Sequence, residues 1–134
     1  MKYLLAILLS LFYCAGYSQV YKFRAFQTAM TESDKFNAIL KWNDANLLVV
    51  INLDKDKIQI YAKNTVDIDL LGGSKGWLDA DSNAWAQYDG IDESGQKCLV
   101  QWEVYKDQTG RHNSTLIITY GDGDLIYRLK KPED

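Results

Sequence analysis

Apolar and polar residues alternate with a period of two along most of the chain, which is the period of a β-strand. Tyr21, Phe23 and Ala25 alternate with basic residues, and the apolar face then continues from Phe26 and Thr28 in the opposite parity. A strand that changes parity in this way contains an extra residue. The pattern therefore predicts a β-bulge near residues 25 and 26.

The same alternation, or a short continuous apolar run, predicts further strands at residues 47–53, 58–62, 66–70, 85–88, 97–105, 116–120 and 125–129. The Gly-Asp-Gly sequence at residues 121–123 predicts a tight hairpin, and residues 89–95 predict another turn. Antiparallel strands that follow one another in sequence order suggest a meander. Closure of the meander into a barrel removes its exposed edges. We therefore expect an all-β fold, in which seven or eight antiparallel strands close into a small barrel with little helix.

Two segments do not follow the alternation. Residues 31–42 leave two interpretations open, because Thr31-x-x-Asp34 resembles a helix capping box whereas residues 38–42 also fit a strand, which we favour. Residues 71–83 contain a glycine-rich stretch followed by Trp77. This composition predicts a long flexible loop, whose tryptophan is presented to a partner or covers one end of the barrel.

The N-terminus has the pattern of a secretory signal peptide. A positive start at Lys2 precedes an apolar run over residues 3–13, and small residues follow at Gly16 and Ser18. The run is shorter than the ~20 residues that span a bilayer. We expect residues 1–18 to be removed, residues 19–134 to fold as one domain, and the product to be periplasmic or secreted without membrane insertion.

Charge and cysteine content exclude several classes of function. The chain has a formal net charge of −3 and no run of three basic residues, so binding to nucleic acid is not expected. Cys14 belongs to the signal peptide, and the bulky residues before it are a poor match to a lipidation site. Cys98 is then the only cysteine of residues 19–134, and no intramolecular disulfide can form.

Residues that could carry catalysis or bind metal do not form a convincing set. His112 lies in a predicted turn, and Cys98 alternates with apolar residues as a buried side chain would. Residues 79–83 begin like a calcium loop but lack its glycine and its final glutamate. Asp67 and Asp69 share one strand face and fit a solvated surface. We therefore expect no catalytic residue, no metal, no cofactor and no enzyme activity.

Aromatic residues stand out, with four tryptophans and nine tyrosines. Such rings either line a pocket or fill a barrel core. Trp77 ends the predicted loop, and Trp85 and Trp102 lie on strands that we expect to be adjacent. The sequence therefore predicts that Trp77, Trp85 and Trp102 form the ligand-binding site.

Several strings carry a resemblance to known proteins: LLVVINLD at residues 47–54, KIQIYAK at 57–63, DIDLL at 67–71, WAQYD at 85–89, GQKCLV at 95–100 and LIITYGD at 116–122. The chain resembles a group of small, exported bacterial proteins of uncharacterised function that have a calycin-like (lipocalin-type) β-barrel. The resemblance implies that fold but brings no catalytic or ligand-binding residues. Gly76 and Trp77 are adjacent, unlike the Gly-x-Trp signature of true lipocalins.

The sequence thus leads to two hypotheses about function. The first is a monomeric, exported, non-catalytic module that binds a small apolar, glycan or peptide ligand. The second is a protein–protein interaction module, such as an inhibitor or an envelope-assembly partner, which acts through residues 71–83. An apolar cavity lined by the tryptophans would favour the first hypothesis, and a filled interior with exposed loop aromatics would favour the second.

Overall fold

The computed structural model describes residues 20–32, 41–72, 75–78, 83–106 and 108–131. These residues form nine β-strands: β1 (Val20–Glu32), β2 (Asn43–Asn52), β3 (Lys57–Tyr61), β4 (Val66–Leu70), β5 (Lys75–Leu78), β6 (Ala84–Asp92), β7 (Lys97–Lys106), β8 (His112–Tyr120) and β9 (Gly123–Lys130). No helix is found among them, and so the described part contains no helix that could cross a membrane.

The strands form one antiparallel sheet in the order β4-β3-β2-β1-β9-β8-β7-β6-β5. The sheet closes because β4 also pairs with β6, through the pairs Ile68–Asp92, Asp69–Ile91 and Leu70–Gly90. β4 and β5 pair with different parts of the same edge of β6. Eight strands therefore surround the interior at any one level of the barrel. The predicted all-β barrel is confirmed.

The predicted bulge in β1 is also confirmed. The register of β1 shifts between Ala25 and Gln27 against both of its neighbours, β2 and β9. Phe23 and Ala25 are buried on the inner face before the bulge. Beyond it, Thr28 lies opposite the buried Tyr127, so the inner face continues in the other parity.

The prediction that residues 71–83 form a long loop is wrong. Leu71 donates its backbone N–H to the carbonyl of Asp89 at 2.8 Å, and residues 75–78 then pair with β6 as β5. The glycine at position 76 reflects close packing instead of flexibility, because a Cβ there would lie 2.5 Å from the carbonyl oxygen of Trp85. Only residues 79–83 remain to connect β5 with β6.

The turn predicted at Asp89–Gly90 is wrong for a similar reason. β6 continues through these residues to Asp92, and the turn begins only at Glu93. A Cβ at Gly90 would lie 2.9 Å from Ile68 Cγ2 and 3.2 Å from Cys98 Sγ. Glycine is therefore used here because the strand crosses a tightly filled part of the interior.

Other predictions fall outside the described residues. These include the signal peptide at residues 1–18 and most of the alternative between helix and strand at residues 31–42. Thr31 and Glu32 are the last residues of β1, whereas Lys41 and Trp42 precede β2.

The central section of the barrel is filled by branched aliphatic side chains. The largest of those that are almost fully buried are Val49, Ile51, Ile58, Ile60, Ile68, Val100, Leu116 and Ile118. An eight-stranded barrel has an interior just wide enough for side chains of this kind. Any binding site must therefore lie at an end of the barrel or on its outer wall.

Candidate functional site

An apolar recess opens at the end of the barrel where β1 begins and where β7 and β9 end. This mouth recess has a volume of about 350 Å³. It is lined by Tyr21, Phe23, Trp102, Val104, Asn113, Ser114, Leu129, Lys130 and Lys131. The volume lies at the small end of the ~300–1,000 Å³ range that is typical of small-molecule sites.

Trp102 forms the centre of the mouth recess. Its ring centroid lies 5.1 Å from that of Tyr21 and 5.6 Å from that of Phe23, and the contact with Phe23 is edge-to-face. The indole Nε1–H donates a hydrogen bond of 2.8 Å to Oγ of the buried Ser114. These contacts hold the indole in one orientation, with its polar atom satisfied.

The structure separates Trp85 from Trp102. Trp102 lies opposite Ala86 on β6, while Trp85 lies opposite Glu103 on β7. Because successive residues of a strand point to opposite faces, Trp85 lies on the outer wall and Trp102 on the inner face. The two rings therefore face different surfaces, and the predicted roles of Trp85 and Trp102 in ligand binding stay predictions.

Trp77 is described only through its backbone, which lies in β5 directly opposite Trp85. Its side chain lies outside the described part, so the predicted role of Trp77 in binding stays a prediction.

Sequence reasoning missed the other aromatic residues of the recess, Tyr21 and Phe23. Both lie on the inner face at the start of β1, where the alternation had already indicated a common apolar face. Tyr88 lies on the inner face of β6, opposite the buried Val100. Its pKa is raised, chiefly by burial and to a smaller extent by Tyr21 and Asp56.

The opposite end of the barrel is held by a polar network around Asp92. Oδ1 of Asp92 accepts hydrogen bonds from the backbone N–H and the hydroxyl of Ser94, at 3.0 and 2.7 Å, and from the backbone N–H of Gln96 at 2.9 Å. Oδ2 accepts a bond of 3.1 Å from the hydroxyl of Tyr120. The Ser94 hydroxyl is the main cause of the lowered pKa of Asp92. The network joins the β6–β7 turn to β8 and fits a structural role.

This network leads to a prediction about alkaline pH. The pKa of Tyr120 is raised, first by burial and then by its hydrogen bond to Asp92, whereas a phenol in an unfolded chain ionises near pH ~10. A raised pKa in the folded state gives stability that is complete below the unfolded pKa and is lost as the pH rises through the folded one. We therefore expect the free energy of unfolding to decrease above about pH 10.

Urea unfolding at about pH 8 and about pH 11 measures this decrease. It should be smaller in Tyr120→Phe, because phenylalanine cannot ionise. Part of it should remain, since burial also raises the pKa of Tyr127. Tyr61→Phe, at a position that is 44% exposed, should retain the wild-type decrease. Equal decreases in Tyr120→Phe and the wild type would contradict the prediction.

The remaining candidates for chemistry have structural surroundings where they are described. Cys98 is buried as predicted, and burial is the main cause of its raised pKa. Asp69 is exposed and lies 3.6 Å from Lys57 Nζ. Oδ1 of Asn83 accepts a 2.7 Å hydrogen bond from the backbone N–H of Lys106. Residues 79–82 and the side chain of His112 lie outside the described part of the chain. Among the residues that the structure describes, no group of three potential metal ligands occurs.

A second, larger depression lies on the outer wall beside the β5–β6 connection. It has a volume of about 460 Å³ and is lined by Asn83, Ala84, Trp85, Glu103, Val104 and Tyr105. Trp85 and the 46% exposed Tyr105 supply its aromatic surface. Trp85 thus belongs to a surface that is distinct from the mouth recess.

Comparison with known proteins gives no relative from which a function could be taken: no family model matches the chain, and no curated protein or solved structure matches it.

Proposed function

We propose that the protein is an exported, non-catalytic binding module that holds a small apolar ligand in the mouth recess. The observation that supports this function best is the coexistence of a filled barrel centre with an apolar recess at one end. A barrel packed as far as its rim would have no such apolar recess at its end. The export and the relationship to calycin-like bacterial barrels are parts of the same proposal.

The composition of the recess suits a small apolar molecule. Tyr21, Phe23 and Trp102 provide aromatic surface, while Ser114 supplies one of the few polar groups. The Ser114 oxygen accepts a hydrogen bond from Trp102, so its hydroxyl hydrogen remains for another acceptor. A largely apolar wall with a few fixed polar groups is typical of small-molecule sites.

A non-catalytic role agrees with the state of the one thiol in the described residues. Nucleophilic cysteines have a lowered pKa and lie in partly exposed, electropositive surroundings. Cys98 is buried among core residues, and its pKa is raised. It therefore packs as a small apolar side chain.

The proposal is tested by following the Trp102 indole N–H signal in ¹H–¹⁵N NMR spectra. We expect it to shift on titration with neutral apolar probes such as 1-octanol and indole, and to respond less to glucose or triglycine. Val104→Phe places a larger side chain at the rim of the recess and should weaken binding of 1-octanol by tenfold or more, a loss of about 1.4 kcal/mol.

Val50→Phe is the matched control, because Val50 lies opposite Lys22 and Gln59 on the outer face. This variant should bind 1-octanol as the wild type does. Binding that Val104→Phe leaves unchanged, or a Trp102 signal that responds to no probe, would refute a ligand site in the mouth recess.

A second candidate function is a protein–protein interaction module. The outer depression that contains Trp85 and Tyr105 favours it, because exposed aromatic residues are common at the centres of interfaces. This depression includes Asn83, the last residue of the segment 71–83 that the sequence predicted to interact with a partner. An interaction that Trp85→Ala abolishes and Tyr21→Ala preserves would favour this candidate, because Tyr21 lines only the mouth recess.

A further inference from the structure

A groove of about 280 Å³ crosses the outer wall of the barrel from β7 to β1. We call it the outer groove, and it is lined by Phe26, Tyr105, Asn113, Ser114, Thr115, Arg128 and Leu129. The register aligns Tyr105 with Asn113, Thr115 with Arg128, and Arg128 with Gln27. These side chains share the outward face. Asn113, Ser114 and Leu129 also line the mouth recess, so the two depressions adjoin at this end of the barrel.

Basic residues that are far apart in the sequence come together beside this groove. Arg24 on β1 lies directly opposite Lys130 on β9, and Arg128 lies two residues from Lys130 on the same face. Like charges directly opposite one another destabilise a sheet. In the described part of the chain, none of these three residues is ion-paired with a carboxylate. Their placement in a chain with more acidic than basic residues favours an anionic ligand.

Arg128 is already held in position for such a ligand. Its guanidinium carbon lies 3.9 Å from the centroid of the Trp42 ring, and Nη1 donates a 2.9 Å hydrogen bond to Oε1 of Gln27. A guanidinium has five N–H donors, so several remain for an incoming carboxylate. Because the group is stacked and hydrogen-bonded, less side-chain freedom is lost when it binds.

The uncharged lining of the groove indicates what carries the anionic group. Tyr105 is 46% exposed and presents a ring, as does the half-buried Phe26 on the side of β1. Thr115 on β8 lies between them and supplies a hydroxyl. Aromatic faces pack against the C–H groups of a sugar, and amides and hydroxyls pair with its hydroxyl groups.

We infer that the outer groove binds an acidic sugar residue of a polysaccharide, with Arg128 on the carboxylate and Tyr105 against the sugar ring. A flat anionic lipid surface would make no use of a concave groove, and a bare phosphate would make no use of the rings. Asp44 lies opposite Gln27 on β2, and Glu103 lies opposite Thr115 on β7. These two carboxylates repel an acidic group on either side of the groove. The carboxylate of the sugar is therefore directed to Arg128, between them.

The test uses tetragalacturonic acid as the anionic probe and its methyl ester as the neutral probe of equal length, with binding measured by calorimetry. The acid should bind, and the ester should bind at least tenfold more weakly. Arg128→Gln should weaken binding of the acid about tenfold, as expected for loss of a charged hydrogen bond. Tyr105→Ala should weaken it about threefold or more. Circular dichroism checks the fold, and Lys130→Gln is the second charge variant if Arg128→Gln does not fold.

Matched controls separate this proposal from general effects of charge and of aromatic exposure. Lys97→Gln removes one positive charge at the other end of the barrel, and Tyr61→Ala removes a tyrosine of similar exposure, 44%. Both should bind the acid within twofold of the wild type. Equal binding of inorganic sulfate or of phosphatidylglycerol vesicles, unaffected by Tyr105→Ala, would overturn the assignment to a sugar. The absence of any binding of tetragalacturonic acid would overturn the site itself.

Discussion

Trp102→Ala is expected to lower the free energy of unfolding by about 3 kcal/mol, at the lower end of the range for deleting a large core aromatic. The indole packs against Phe23 and Tyr21 and is partly covered by the core. Its removal also deprives the buried Ser114 hydroxyl of its donor. An unsatisfied buried polar group costs about 1–3 kcal/mol, and water that enters through the open mouth reduces that cost.

Trp85→Ala is the matched variant, because it removes the same side chain from the outer face of the adjacent strand. We expect it to cost about 1 kcal/mol or less, since surface substitutions away from special features have small effects. Trp102→Phe should lie between the two, because it keeps a ring against Phe23 but loses the indole N–H. Urea unfolding of the three variants measures these values. Equal losses for Trp85→Ala and Trp102→Ala would contradict the assignment of their rings to opposite faces.

The two tryptophans show why the fold could be predicted from the sequence and the site could not. Alternation of apolar and polar residues is a local property, and it was sufficient to predict every strand except β5, as well as the bulge at Ala25. The face that a side chain occupies relative to a neighbouring strand depends on the register between strands. In the β6–β7 pair, Trp85 aligns with Glu103, so residues of like parity face each other and Trp102 lies on the other side. A register shifted by one residue would have reversed this result.

The outer groove was invisible in the sequence for the same reason. Arg24 and Lys130 lie near opposite ends of the described chain, and only the pairing of β1 with β9 makes them neighbours. Scattered basic residues along the sequence therefore did not exclude a local concentration of positive charge. The bulge adds to this effect, because it changes which residues of β1 face outward beyond Ala25.

Glycine was misinterpreted because the same residue serves two purposes. Turns use glycine for positive φ angles, as at Gly95, where φ is 85°. Close approach of two strands also requires glycine, and that requirement depends on atoms that are distant in the sequence. Gly76 faces the carbonyl of Trp85, and Gly90 faces Ile68 and Cys98. No local pattern distinguishes these positions from turn glycines.

Gly76→Ala and Gly90→Ala are therefore expected to destabilise the protein, but in different ways. Overpacking typically costs about 1–3 kcal/mol. At Gly90 the new methyl group would lie 2.9 Å from Ile68 Cγ2 and 3.2 Å from Cys98 Sγ, inside the core near the pairing of β4 with β6 that closes the barrel. We expect the free energy of unfolding to fall by about 2 kcal/mol. Hydrogen exchange should show reduced protection at all amides of the barrel, because the closed wall unfolds as a unit.

At Gly76 the methyl group would lie 2.5 Å from the backbone oxygen of Trp85, which cannot move without breaking the β5–β6 pairing. The chain can relieve this contact by releasing β5, whose described pairing involves only residues 75–78 with β6. The overall loss should thus be limited to about 1 kcal/mol, while amide protection is lost specifically at residues 75–78. Gly121→Ala is the control, because a Cβ there meets no atom within 4 Å. This variant should change neither the free energy of unfolding nor the protection of residues 75–78. Unchanged protection of residues 75–78 in Gly76→Ala would contradict the prediction that this contact releases β5. Amides of residues 75–78 that are unprotected already in the wild type would instead show that the segment is a flexible loop.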